Sequence, residues 1–120
     1  MIRLFTKEDF PEIEAWLWER DIPIIPRSLY SPLGAIVPNV ACGFLTRTDT
    51  SVALVENVIS NPKAENRTQA ILDIILFLEK EASRLGYKYL WGITQIDNMK
   101  AHARSIGAEI VECEMFAKEI

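Results

Sequence analysis

The segment from residue 71 to residue 85 constrains the fold most, because its apolar residues recur at steps of three and four. They are Ile71, Ile74, Ile75, Leu78, Ala82 and Leu85. This period is that of one face of an α-helix, and Gly86 suits the position just past a helix C-terminus. Leu72, Leu76 and Phe77 widen the apolar face. The pattern predicts a long helix that packs centrally against a sheet.

Six shorter runs have the composition of β-strands, with apolar and β-branched residues between turn signals. They cover residues 2–5, 34–37, 41–46, 51–60, 87–95 and 109–119. The fourth run is the longest. If it forms a regular strand, Glu56 lies on the same face as Val58, and Ile59 lies on the opposite face. The three runs between residues 34 and 60 predict an antiparallel meander.

Two further helices are indicated by residues that suit helix ends. Asp9 can cap a first helix that runs to about Asp21. Asp97 or Asn98 can cap a last, short helix that ends at Gly107. The order of elements becomes β-α-βββ-α-β-α-β. This order predicts an α/β (α+β) fold in which helices flank a central mixed, largely antiparallel sheet.

Composition narrows the class of protein. The 120 residues, 49% of them apolar, predict a single domain over residues 1–120. No apolar run reaches the length of a membrane span, and the charged N-terminus is unlike a signal peptide. The net charge is −4 and the Lys and Arg residues are scattered, so nucleic acid is not an expected partner. These features predict a cytoplasmic protein that has no membrane partner.

Metal and disulfide chemistry are not indicated. Cys42 and Cys113 are far apart, form no CxxC motif and are accompanied by a single histidine. A zinc site or a disulfide framework needs more of these residues at closer spacing. We therefore predict no metal site, and two free thiols fit a reducing cytosol.

The loop between the longest strand and the central helix has features of a phosphate-binding turn. The run 58–70 has Pro62 after the strand and mostly small or polar residues at the start of the helix. Unpaired N–H groups and a partial positive charge at a helix N-terminus suit a pyrophosphate. Arg67 could add counter-charge, whereas Glu65 repels a phosphate unless its carboxylate points away. The candidate ligand residues are Asn66, Arg67, Thr68, Gln69 and Ala70.

A second motif lies near the C-terminus, where Asn98-x-x-Ala101 is followed by Gly107. The chain then ends with an aromatic-x-lysine pattern that is typical of a closing strand. With Pro62 and Ala70 of the loop, and in this order of elements, these motifs resemble the GNAT superfamily of N-acetyltransferases over nearly the whole chain.

The resemblance implies an enzyme that transfers an acetyl group from acetyl-CoA, its cosubstrate, to an amine by direct attack. The acceptor would be a small-molecule amine or a protein amino group. Val58, Ile59 and Ser60 would contact the pantetheine arm and polarise the carbonyl through backbone N–H groups. Asn98 would also contact the arm, and a helix N-cap is an equally natural role for it. Glu56 would be the general base, the alternative being a solvated or salt-bridged strand residue.

Departures from the family pattern leave other interpretations open. Glu65 replaces the usual Gln or Arg of the loop, and Thr68 replaces a glycine. Ala103 stands where the family often has a tyrosine that protonates the leaving thiolate, and the neighbouring His102 is either a substitute or a solvent-facing residue. The chain could then be a catalytically inactive GNAT-like binding or assembly module, or a generic α+β domain. A monomer or a homodimer is expected in either case.

An acceptor pocket is expected beside the loop of residues 22–33, which contains three prolines. Trp16, Trp18 and Tyr30 are its aromatic candidates. Trp16 also falls on the apolar stripe of the first helix, which makes it a core candidate, whereas Trp18 lies off that stripe and is expected to be exposed.

Overall fold

The computed structural model describes residues 1–93, 97–111, 113–114 and 117–120, with the side chain of residue 97 left aside. The strands are β1 (Arg3–Leu4), β2 (Gly34–Val37), β3 (Ala41–Thr46), β4 (Val52–Ser60) and β5 (Tyr89–Gly92). The helices are α1 (Phe10–Glu19), α2 (Arg67–Arg84) and α3 (Asp97–Ser105). Short 3₁₀ turns cover Lys7–Asp9 and Arg27–Leu29.

The strands form one mixed sheet in the order β1-β2-β3-β4-β5. Pairing is antiparallel from β1 through β4, and β5 joins β4 in parallel. Helices lie on both faces of this sheet. The predicted meander, the central helix and the α+β class are therefore confirmed.

Three boundaries differ from the sequence predictions. The first helix ends at Glu19 rather than Asp21, because Asp21 adopts a left-handed φ of 56° and closes the helix. The predicted strand 87–95 is represented by β5, and its residues 94 and 95 lie outside the described residues. The described residues of the predicted strand 109–119 are in no strand. All of them are exposed, so they gain none of the burial free energy that holds a strand in a sheet.

Each face of the sheet carries its own core. The α2-side cluster joins α2 to the sheet through Ala35, Ala41, Leu45, Ala53, Ala70, Ile71, Ile74, Ile75, Leu78 and Ala82. The α1-side cluster joins α1 and Tyr30 to the sheet through Ile13, Trp16, Leu17, Ile36, Cys42, Phe44 and Ile59. Gly43 lets α2 approach closely, since a Cβ there would lie 2.9 Å from Cγ2 of Ile74. The sheet is thus covered on both sides over β2, β3 and the end of β4.

A β-bulge interrupts β4. Cys42 lies opposite Ile59, and Phe44 lies opposite Glu56, so two steps along β3 match three steps along β4. The extra residue is accommodated at Asn57, whose φ of 52° is left-handed. Bulges of this kind sharpen the twist of a strand and change which side chains share a face.

The bulge overturns the predicted alternation of β4. Val58 packs against the α2-side cluster, whereas Ile59 belongs to the α1-side cluster. Glu56 lies opposite Phe44, and residues paired across two strands lie on the same face. Glu56 therefore shares its face with Ile59, and Val58 lies on the other face. The prediction that Glu56 and Val58 share a face is wrong, because a period of two cannot include an inserted residue.

The left-handed backbone at Asn57 gives a test of the bulge. Asn57→Val should lower the free energy of unfolding by about 1–3 kcal/mol, because a β-branched residue is strained in that conformation. Asn57→Gly should change it far less, since glycine adopts this conformation without strain. Urea denaturation of both variants measures the difference. Equal losses in the two variants would show that the backbone conformation is not what position 57 contributes.

Candidate functional site

The candidate site lies where β4 parts from β5. β4 stays paired with β3 as far as Ser60, which lies opposite Ala41. Its pairing with β5 ends where Val55 meets Gly92. Among the described residues, none pairs with the β5-facing edge of residues 56–60, so backbone groups on that edge are available to a ligand. The candidate site is this edge of residues 56–60, together with the loop and the start of α2 that follow it.

Asn61 holds the loop that follows β4. Its backbone N–H donates to the carbonyl of Val40 at 2.8 Å, and its side-chain amide donates to the carbonyl of Asn39 at 2.8 Å. Its side-chain oxygen accepts the N–H of Lys63 at 3.0 Å. These bonds set the direction in which the chain leaves the sheet toward α2.

α2 begins with three N–H groups that precede its first internal hydrogen bond. That bond runs from the N–H of Ala70 to the carbonyl of Asn66 at 3.0 Å. The residues between them, Arg67, Thr68 and Gln69, are exposed, and their N–H groups have no acceptor within the helix. Asn66 turns the chain into the helix with a left-handed φ of 59°. The arrangement fits the pyrophosphate-binding role predicted for this turn.

Sequence reasoning missed Arg20, which ties the end of α1 to the end of β4. Its Nε donates to the carbonyl of Ser60 at 3.1 Å, and its Nη2 donates to Oγ of Ser60 at 2.8 Å. Nearby, Nζ of Lys63 lies 3.6 Å from Oε2 of Glu19. Two cationic side chains therefore lie beside the end of β4, and Glu65 is exposed enough to turn its carboxylate to solvent. No pattern links Arg20 with Ser60, because 40 residues separate them.

Glu56 is half-buried on the α1 side of the sheet, opposite Phe44. It follows Val55, the last residue of β4 that pairs with β5. Among the described residues its carboxylate has no ion-pair or hydrogen-bond partner, so the salt-bridged alternative is not realised in that part of the chain. Glu56 is thus the first residue of β4 beyond its pairing with β5.

Asn98 is not joined to the rest of the site. It is exposed in the first turn of α3, and Met99 and Ile106 pack beside the α2-side cluster. The predicted contact of Asn98 with a pantetheine arm stays a prediction. Ala103 and His102 are half-buried in the same helix, and Nδ1 of His102 has no hydrogen-bond partner in the described part of the chain.

The aromatic residues predicted for an acceptor pocket are separated in the fold. Trp16 and Tyr30 are buried in the α1-side cluster, so the core role given for Trp16 is confirmed and the pocket role of Tyr30 is wrong. Burial also raises the pKa of Tyr30 to about 12. Trp18 is 78% exposed and lines a shallow groove of about 370 Å³ together with residues 21–24. The helical period turns Trp16 toward the sheet and Trp18 toward solvent.

In the described part of the chain, no group of three or more His, Cys, Asp or Glu side chains could hold a metal ion. None of the helices in that part of the chain is long and apolar enough to cross a membrane. The cysteines are not bonded to each other, since Cys42 is buried and Cys113 is exposed.

The sequence matches no protein-family model and no curated protein, but its fold has clear relatives among solved structures. An acetyltransferase from Trypanosoma brucei superimposes with a TM-score of 0.72 at 13% identity, with 99% of each chain covered. Glucosamine-6-phosphate N-acetyltransferase from Arabidopsis thaliana gives 0.72 at 11% identity, covering 98% of this chain and 97% of its own. An aminoglycoside 6'-N-acetyltransferase from Acinetobacter haemolyticus gives 0.66 at 16% identity, covering 100% and 99%.

These identities are too low to carry an activity from one protein to another, and they establish the fold alone. The element order, the bulged β4, the end of its pairing with β5 and the exposed start of α2 are all features of this chain. Together with the superpositions, they show that the chain has the GNAT acetyltransferase fold.

Proposed function

We propose that this chain is an N-acyltransferase that binds acetyl-CoA where β4 parts from β5. The observation that carries the proposal is that the edge of β4 beyond Val55, unpaired among the described residues, leads through the loop 61–66 to the exposed N-terminus of α2. An unpaired strand edge suits a ligand arm that contains amide groups, and a helix N-terminus suits the pyrophosphate of the same ligand. The ligand residues we propose are Val58, Ile59, Ser60, Asn66, Arg67, Thr68, Gln69, Ala70 and Asn98.

Arg20 adds to this set as a positioning residue. It donates hydrogen bonds to the carbonyl and the hydroxyl of Ser60. These bonds fix the orientation of the end of β4, from which the loop runs to α2. Its positive charge, with those of Lys63 and Arg67, favours an anionic ligand at this end of β4. Thr68 brings a hydroxyl that can donate to a phosphate oxygen. The loop can therefore hold a pyrophosphate without the glycines that are usual in the GNAT loop pattern.

When bound, acetyl-CoA supplies a thioester carbonyl that is open to attack by an amine. We assign Glu56 the role of general base, which takes a proton from the ammonium group of the acceptor and leaves its nitrogen lone pair free to attack. Backbone N–H groups of the bulged strand near Val58 stabilise the negative charge that develops on the carbonyl oxygen. A thiol has a pKa of about 8.5, so it leaves as a thiolate more readily than an alkoxide would, and the thiolate then takes the second proton that the nitrogen loses as the amide forms. A tyrosine at position 103 is therefore dispensable.

Direct transfer is favoured over a route through Cys42. Cys42 belongs to the α1-side cluster and is completely buried, and burial raises the pKa of its thiol to about 12. A thiol is a nucleophile in its thiolate form, so Cys42 is inert at neutral pH. We place the activity in the cytoplasm, where both free thiols stay reduced.

Acetyl-CoA binding should raise the thermal midpoint of the protein. A ligand at 100 times its dissociation constant adds about 2.7 kcal/mol to the free energy of unfolding, which corresponds to roughly 10 °C for a domain of this size. Thr68→Asp should abolish the shift, because its carboxylate repels the pyrophosphate, although an acidic residue suits a helix N-terminus. Ser28→Asp, exposed and outside this loop, is the matched control. Differential scanning fluorimetry with millimolar acetyl-CoA measures all three, and an unchanged wild-type midpoint would contradict the proposal.

Removing the carboxylate of Glu56 should separate binding from chemistry. Glu56→Gln should lower kcat by about 10²–10⁴-fold, the usual contribution of a general base, and should keep the thermal shift with acetyl-CoA. Glu79→Gln, an exposed carboxylate of α2, should leave both unchanged. Release of free CoA thiol in the presence of a panel of amines measures turnover. Full turnover in Glu56→Gln would remove that residue from the mechanism, and binding without turnover in the wild type would favour an inactive binding module.

A further inference from the structure

β5 carries aromatic side chains that the two core clusters leave uncovered. Tyr89 is 63% exposed and Trp91 is 61% exposed. The residue between them, Leu90, is half-buried and packs against the α2-side cluster. Side chains alternate between the faces of a strand, so both rings project from the α1 side of the sheet. Burying a large aromatic side chain is normally favourable, and two left open on one strand call for an explanation.

The register of the sheet places these rings beside Glu56. Tyr89 lies opposite Val52, and Trp91 lies opposite Leu54. Leu54 and Glu56 are two residues apart before the bulge, so they share a face and their Cα atoms are about 7 Å apart. We call the surface formed by these residues the aromatic face; its members are Val52, Leu54, Tyr89 and Trp91. The aromatic face therefore ends at Glu56. α1 leaves this face open, since its buried residues pack on β2, β3 and the end of β4.

The charge on these strands favours a ligand with a positively charged group. Glu56 is the single charged residue in the sequences of β4 and β5. A carboxylate beside two aromatic rings attracts an ammonium group, through the opposite charge and through the negative faces of the rings. A phosphorylated amine finds no cation on either strand. The half-buried Leu54 and Val52 add apolar surface to the same face.

We propose that the aromatic face binds the acceptor of the transfer reaction, and that the acceptor is a small primary amine with an aromatic or branched apolar body. This inference rests on the proposed function and adds the substrate class. The ammonium group contacts Glu56, which takes its proton, and the apolar body stacks on Trp91 and Tyr89. Trp91 is then a specificity-determining residue. It has the role in acceptor binding for which Trp16 and Tyr30 were candidates in the sequence.

Acceptor preference tests this assignment. The wild type should acetylate 2-phenylethylamine with a kcat/KM that is on the order of tenfold or more above that for ethylamine, because only the former can use the apolar surface. Glucosamine 6-phosphate should be a poor acceptor. Trp91→Thr keeps a good strand former and should lower kcat/KM for 2-phenylethylamine about tenfold more than kcat/KM for ethylamine, because only the larger amine stacks an apolar body on the ring. Trp91→Phe should retain most of the preference, and Trp18→Ala, which removes another exposed tryptophan, should retain all of it.

Direct binding keeps this test separate from the test of the proposed function. Calorimetric titration of 2-phenylethylamine into the wild type and into Trp91→Thr should show binding that weakens about tenfold in the variant, whether or not turnover is seen. An unchanged thermal midpoint with acetyl-CoA sinks the proposed function, whereas equal affinity in the two proteins sinks the aromatic face as a binding site. Equal loss for both amines would also overturn it. A wild-type dimer that Trp91→Thr converts to a monomer, seen by sedimentation velocity, would show that a second copy covers this face instead.

Discussion

The bulge in β4 is the local feature on which the candidate site depends. One residue is inserted opposite β3, and it is tolerated because Asn57 accepts a left-handed backbone. Up to this point β4 is an ordinary member of the sheet, paired on both edges. Beyond it β4 follows β3 alone, and the edge that faced β5 is left without a partner among the described residues. Backbone groups on that edge are therefore available to a ligand.

The two cores keep the end of β4 in place. Ile59 enters the α1-side cluster, whereas Val58 packs on the α2 side, so the divergent end of β4 is anchored on both faces. Gly43 brings α2 close to the sheet beneath it. Arg20 then clamps Ser60 from the end of α1. Because these contacts come from different parts of the chain, the direction of the strand and of the helix that follows it is a property of the whole fold.

The proposed acyl transfer rests on the fold more than on the motifs. Glu65 and Thr68 depart from the loop pattern of resembling proteins, yet both are exposed, and the N–H groups at the start of α2 are backbone features that most side chains leave unchanged. The acceptor face that we propose near Glu56 is particular to this chain, since Trp91 and Tyr89 have no counterpart in the motifs. A shared architecture sets where a ligand can lie, and side chains set which ligand it is.

The sequence by itself determined the elements whose patterns are local. The α2 stripe, the strands at 34–37 and 41–46 and the start of α2 were predictable, because helical and strand periods are visible within a few turns or residues. Tertiary structure decided the rest. A period of two does not reveal an inserted residue, so the faces of Val58 and Ile59 followed from pairing with β3. Likewise, Trp16 and Trp91 are both large and aromatic. Which of them is buried depends on which strands α1 packs against.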